Sequence, residues 1–170
     1  MKLAVIDTSI ALPAIIGIAD PAQACDTVRA RLFFEWLDKD GWTCALAAPS
    51  LAEMLLKTDY ASRAIALQNI TTRARILPFD ARASLLLVEL WQLRGIDGTL
   101  QKQADSNGAR RLLRFDAQII AITKAAGAVL FSMDQRQRAL ASDWVRALPI
   151  PPDIVGQESI AFDAPAPADS

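Results

Sequence analysis

Four acidic residues stand where a chain could do chemistry. Asp7 ends the apolar run "LAVI", Glu53 lies in "APSLAEML", Asp116 in "LLRFDAQIIAITKAAG", and Asp134 follows "AVLFSM". The chain has no histidine, which removes imidazole acid and base work, His-paired Ser or Cys nucleophiles, and His-rich zinc sites. Catalysis must then run on carboxylates, hydroxyls, Lys or metal. Two carboxylates about 4 Å apart repel by roughly 4 kcal/mol at an effective dielectric near 20, so a convergent set calls for cations. Oxygen-only ligands favour Mg²⁺ or Mn²⁺, as one or two ions. That combination suits phosphodiester hydrolysis, in which a metal acidifies a bound water, orients it for in-line attack and offsets charge on the leaving oxygen.

Not every acid qualifies. The tripeptide FDA occurs three times, at Asp80, Asp116 and Asp163. Asp163 falls in a Pro- and Ala-rich end with no core nearby to position it. Asp80 ends a strand and precedes a helix, where its side chain can cap orphan N–H groups. Asp116 is flanked at helical spacing by Leu112, Leu113, Ile119, Ile120 and Thr123, so it shares a face with core residues. A carboxylate there is costly to desolvate unless paired or coordinating a metal. The bland alternative starts the helix at Ala117 with Asp116 as its cap; Gly108 is the better break, and "RRLLR" upstream already forms helix. Glu53 is balanced between two readings, because Ser50-Leu51-Ala52-Glu53 matches the S-x-x-E capping box.

The elements that must position these acids alternate along the chain. "LAVI" reads as a strand buried on both faces. A helix follows over about 26–38, closed by Gly41; "WTCALAA" is a second strand, and Pro49 with Ser50 opens another helix. A further helix covers 62–69, "ARILPF" is a third strand, and a helix spans 81–94. Residues 95–109 read as a mobile surface loop, followed by the longest amphipathic helix, which Gly127 ends. "AVLFSM" is a fourth strand, a short helix runs to about Ser142, and "VRALPI" is a possible fifth strand. The expected fold is α/β, a parallel sheet covered on both faces. Sites in such sheets form outside the carboxyl ends of the strands, which puts Asp7, Glu53 and Asp134 on one rim. The helix from Asp116 to Ala126 advances about 15 Å and the next strand returns about 17 to 20 Å, bringing Asp134 level with Asp116.

Whole-chain quantities set the frame. At 170 residues and 52% hydrophobic, the chain reads as one domain over 1–150 with a loosely ordered tail over 151–170. Net charge is −1 and the pI near 5.4, so no global positive field advertises a polyanion. Cys25 and Cys44 read as reduced thiols. Asp7 and Pro13 interrupt the N-terminal apolar stretch, against a signal peptide or membrane span, so the expected location is cytoplasmic.

With "VIDTSI", "APSLAEML" and "FDAQIIAITKAAGAVLFSMD" in this order, residues 2–150 resemble a PIN domain, specifically the VapC-type ribonuclease toxins of bacterial toxin–antitoxin pairs. The third stretch is the most specific. The resemblance implies a PIN-like α/β/α fold and a metal-dependent endoribonuclease, the toxin of a type II pair. It implies that Asp7, Glu53, Asp116 and Asp134 hold Mg²⁺ or Mn²⁺, with Thr8, Ser9 and Ser132 as nearby hydroxyls. It also implies a homodimer, an antitoxin whose C-terminal segment enters the active-site groove, and structured RNA such as tRNA or rRNA as substrate.

Departures from the family pattern are the "QRQRAL" after Asp134, where relatives place another acid or Asn and an aromatic, the longer loop at 95–109, and the tail. Arg110, Arg111 and Arg114, with Arg136 and Arg138, either face the groove and contact phosphates or are merely solvated. Two rivals stand beside the nuclease. An aspartate-based phosphohydrolase normally needs a second Asp where this chain has Ser9, and a receiver domain needs an acidic pair and a Lys that the sequence lacks. A catalytically silent PIN-fold module for RNA or protein interaction is the other.

Overall fold

A computed structural model describes residues 2–17, 24–94, 107–152 and 154. Five strands form one parallel sheet: β1 (Lys2–Ile6), β2 (Trp42–Ala47), β3 (Arg75–Leu77), β4 (Val129–Phe131) and β5 (Ala147–Leu148), in the order β3-β2-β1-β4-β5. β1 is central, with Ala4 opposite Cys44 on one side and Val129 on the other. All five expected strands are present and parallel, with β3, β4 and β5 shorter than their apolar runs.

Strand alternation divides the core into two layers. Ala4, Ile6, Cys44, Leu46 and Phe131 face one side, where they meet α2 (Ala24–Lys39), α3 (Ala48–Leu56) and α4 (Arg63–Arg73). Val5, Ala45, Ala47 and Leu130 face the other and meet α5 (Ala81–Arg94), α6 (Asn107–Ala125) and α7 (Gln135–Ala141). An aromatic cluster pins α2 to the sheet. Phe33 packs on Phe131 with ring centroids 5.0 Å apart, and Trp42 meets Phe131 edge-on at 5.6 Å. Burying such a side chain contributes roughly 1.5 to 3 kcal/mol, so the cluster fixes the strands that carry the rim. Gly41, at φ 71°, makes the left-handed turn between α2 and β2 that a side chain would strain.

The sequence reading missed one feature. Directly after β1 the chain enters α1 (Thr8–Ala11) and a π-helical turn at Leu12–Ile16. Asp7 caps α1, and Pro13 sits at the start of the π turn, where its missing N–H costs nothing.

Three boundaries also need correction. The helix after β2 starts at Ala48 rather than Ser50. The longest helix starts at Asn107, so 107–109 are helix rather than loop, while 95–106 lie outside the described residues. The reading of Asp116 as a cap before Ala117 is overturned, because α6 runs unbroken through it. Of the expected tail, 153 and 155–170, including Asp163, lie outside the described residues, and Ile154 packs on the first core layer.

Cys44 is buried and free, its thiol pushed up to about 11 by burial and then by Asp38, which makes it an inert core residue. The side chain of Cys25 lies outside the described residues. Among the described residues no helix is long and apolar enough to cross a membrane.

Candidate active site

The rim at the carboxyl ends of β1 and β4 is held by hydroxyls centred on Asp7. The Asp7 backbone N–H donates to the Phe131 carbonyl at 2.9 Å, tying the two strand ends together. Its Oδ2 accepts from Ser9 N (3.1 Å), Ser9 Oγ (2.7 Å) and Ser132 Oγ (3.2 Å). Each hydroxyl is used twice: Ser9 Oγ accepts from Met133 N and Ser132 Oγ from Asp134 N. Asp7 and Ser132 are buried, so this carboxylate has its direction set by the fold.

Glu53 enters from α3. The capping-box reading is overturned, because α3 begins at Ala48 with Pro49 in its first turn and Ala47 as an N-cap without a side-chain bond. Ser50 therefore falls inside the first turn, its buried Oγ without a hydrogen-bond partner among the described residues. Glu53 instead accepts from Thr8 Oγ1 at 2.9 Å through Oε2 and pairs with Lys57 Nζ at 3.0 Å through Oε1. The Thr8 bond ties it to the end of β1 beside Asp7, whereas the Lys57 pair runs along its own helix.

Asp116 projects from the middle of α6, half-buried. Burial, then the charges of Asp7 and Asp134 and finally Glu53 push its carboxyl up to about 7, against one opposing hydrogen bond from Gln137. The four acids named from the sequence thus come together at one rim. Asp134 also serves locally: its Oδ1 caps α7 by accepting from Arg136 N (2.7 Å) and Gln137 N (3.3 Å).

Gln137 is the residue sequence reasoning missed. It is 1% exposed, and its Nε2 donates to Asp7 Oδ1 at 3.2 Å and to Asp116 Oδ1 at 3.1 Å. Nothing in the sequence signals it beyond its place three residues after Asp134, in "QRQRAL".

Hydroxyls Thr8, Ser9 and Ser132 all stand at the site as expected. The expected arginines divide. Arg136 is exposed near the Asp134 cap, whereas Arg138 donates from Nη1 to the Ser132 carbonyl at 2.7 Å and so braces the end of β4. The side chains of Arg110, Arg111 and Arg114 lie outside the described residues. Beside the rim lies a cavity of about 300 Å³, lined in part by Ser9, Pro13, Arg29, Lys57, Met133 and Ile150.

Among the described residues no three carboxylates are gathered as ligands of a single ion. The contacts say why. The Gln137 amide bridges Asp7 and Asp116, Asp134 Oδ1 is turned to backbone N–H groups, and Glu53 is held by Thr8 and Lys57. The donor chemistry nevertheless fits a hard divalent cation. The half-buried Asp116 feels the charges of Asp7, Asp134 and Glu53, which disfavour its own, and Lys57 is the ion-pair partner of Glu53.

No protein-family model matches the sequence, and no curated protein matches it. Solved structures do. A chain of VapBC2 from Rickettsia felis, bound to a DNA fragment from their promoter, aligns with a TM-score of 0.59 at 18% identity, covering 87% of this chain and 98% of that one. The fold is PIN-like. VapBC from Salmonella typhimurium, a DNA-bound structure, matches this PIN-like fold with a TM-score of 0.59 at 14% identity, covering 89% of this chain and 100% of that one. VapBC-1 from nontypeable Haemophilus influenzae matches at 0.56 and 17% identity, covering 86% and 96%. At these identities the likeness is one of fold, and the PIN-like sheet edge is where the four acids lie.

Proposed function

We propose that this chain is a metal-dependent endoribonuclease that hydrolyses RNA phosphodiester bonds and serves as the toxin of a type II toxin–antitoxin pair. The observation that carries the reading is the convergence of Asp7, Glu53, Asp116 and Asp134, felt as the rise of Asp116 to about 7. Asp7, Glu53, Asp116 and Asp134 would hold Mg²⁺ or Mn²⁺, as one or two ions. When bound, such a cation acidifies water and offsets negative charge on phosphate oxygens.

The chain's own residues do the rest. Ser9 and Ser132 aim Asp7, and Thr8 aims Glu53. Arg136 stands exposed where it can meet a phosphate, with Arg110, Arg111 and Arg114 as further candidates. The substrate class would be structured RNA such as tRNA or rRNA, the partners an antitoxin protein and a second copy of the chain, and the setting the cytoplasm.

One observation favours a second reading. The carboxylates are not gathered as ready ligands, as a silent PIN-fold module for RNA or protein interaction would have it. Cleavage of structured RNA decides between them. The nuclease cuts with Mn²⁺, stops in EDTA and resumes when Mn²⁺ is restored in excess. Absence of both cleavage and Mn²⁺ binding would leave the silent module.

A further inference from the structure

Among the described residues, Gln137 is buried with its amide between two acids. It occupies the third position of α7, whose N-cap is Asp134, and this turns its side chain inward beneath the acids. Both amide N–H groups are spent on carboxylate oxygens of two different elements, Asp7 at the end of β1 and Asp116 in α6. The amide's other end is idle: Oε1 is buried without a hydrogen-bond partner among the described residues. Rotating the amide by half a turn would aim Oε1 at two carboxylates, so the chemistry settles the orientation. A neutral group thus lies between two acids where a positive charge would be expected.

We infer that Gln137 is a positioning residue that substitutes for the cation in the metal-free protein, bridging Asp7 and Asp116 until an ion displaces it. This rests on the metallonuclease reading. An ion ligated through the two Oδ1 atoms that the amide holds competes with it for the same oxygens, so the bonds weaken or break as the ion binds. By linkage, what they add to the metal-free fold they subtract from metal affinity. An ordinary structural residue acts otherwise, stabilising both states alike and leaving affinity unchanged.

Gln137→Met keeps the length of the side chain and removes its donors; Gln137→Leu removes them with a shorter, branched side chain, should the first fold poorly. The full chain, as wild type and variants, is titrated with Mn²⁺ by calorimetry and melted in EDTA and in saturating Mn²⁺. The expected result is a Kd for Mn²⁺ about tenfold tighter in the variants, as befits loss of hydrogen bonds to charged groups. With it goes a lower Tm in EDTA that Mn²⁺ largely restores. Unchanged or weaker Mn²⁺ affinity, with equal Tm loss in both conditions, would overturn the role of Gln137 while leaving the nuclease intact. A wild type that binds no Mn²⁺ would remove the metallonuclease reading and this inference with it.

Discussion

Phe79-Asp80-Ala81 and Phe115-Asp116-Ala117 are the same three residues in two settings. The phenylalanines are alike, 38% and 41% exposed; the aspartates are not. Asp80 precedes α5, is exposed, and accepts from Ala83 N at 2.8 Å, an N-cap satisfied by its own next turn. Asp116 lies inside α6, where the backbone N–H groups are already spent, so its carboxylate has no local partner. Ala117 beside it is fully buried while Ala81 is exposed. What separates a cap from a site residue is its place relative to the helix start, because that decides whether the backbone or another element must satisfy the charge.

The largest expected separation is in activity. Asp7→Asn, which keeps the shape but removes the charge, is expected to cut Mn²⁺-dependent RNA cleavage by about 100-fold or more. Asp80→Ala should leave the rate within about twofold, since surface changes away from a site act weakly. Comparable losses in both would mean that the rim is not the site.

A second contrast is in pH. Asp116 holds its proton to about 7 when folded, against about 3.9 when unfolded. The folded state therefore binds more protons between these values, so stability falls as pH rises from about 4 to 7 and then levels. Asp116→Asn should relieve this, raising the metal-free Tm at pH 8 by roughly 2 to 6 °C after discounting for partial exposure, with no gain near pH 4. Apparent Mn²⁺ affinity should likewise climb about tenfold per pH unit between pH 5 and 7 as the ion displaces that proton. A flat profile in EDTA-treated protein would contradict the burial assigned to Asp116.

Smaller effects test the other member of the pair. Asp80→Ala removes a cap and should cost about 1 kcal/mol, roughly 2 to 4 °C in Tm, at pH 5 and pH 8 alike. Lys57→Met breaks an exposed i,i+4 pair with Glu53, worth less than about 0.5 kcal/mol of stability. Its effect should show instead as a stronger response to Mn²⁺, because Glu53 loses a cation that competes with the ion for its Oε1.

Much of this was legible in the sequence because the dominant forces are local or periodic. Continuous apolar runs announced buried parallel strands, and the apolar residues around Asp116 announced a helix face turned to the core. Helix starts were less legible. Pro49 and Ser50 are both good start signals, yet α3 begins two residues before Ser50 because β2 ends at Ala47 and the chain turns there at once. Thr8, Ser9 and Ser132 came with the family resemblance, each within two residues of one of the acids. Gln137 was missed, because its burial depends on partners 130 and 21 residues away, and nothing in "QRQRAL" marks which glutamine turns inward.

The central claim is that the rim around Asp116, and not the cap at Asp80, carries metal-dependent chemistry. The most direct test is cleavage of end-labelled structured RNA by the purified protein in Mn²⁺, with Asp116→Asn and Asp80→Asn side by side and EDTA as control. The account predicts cleavage that EDTA abolishes, that Asp116→Asn loses and that Asp80→Asn retains. Equal cleavage by the two variants would contradict it.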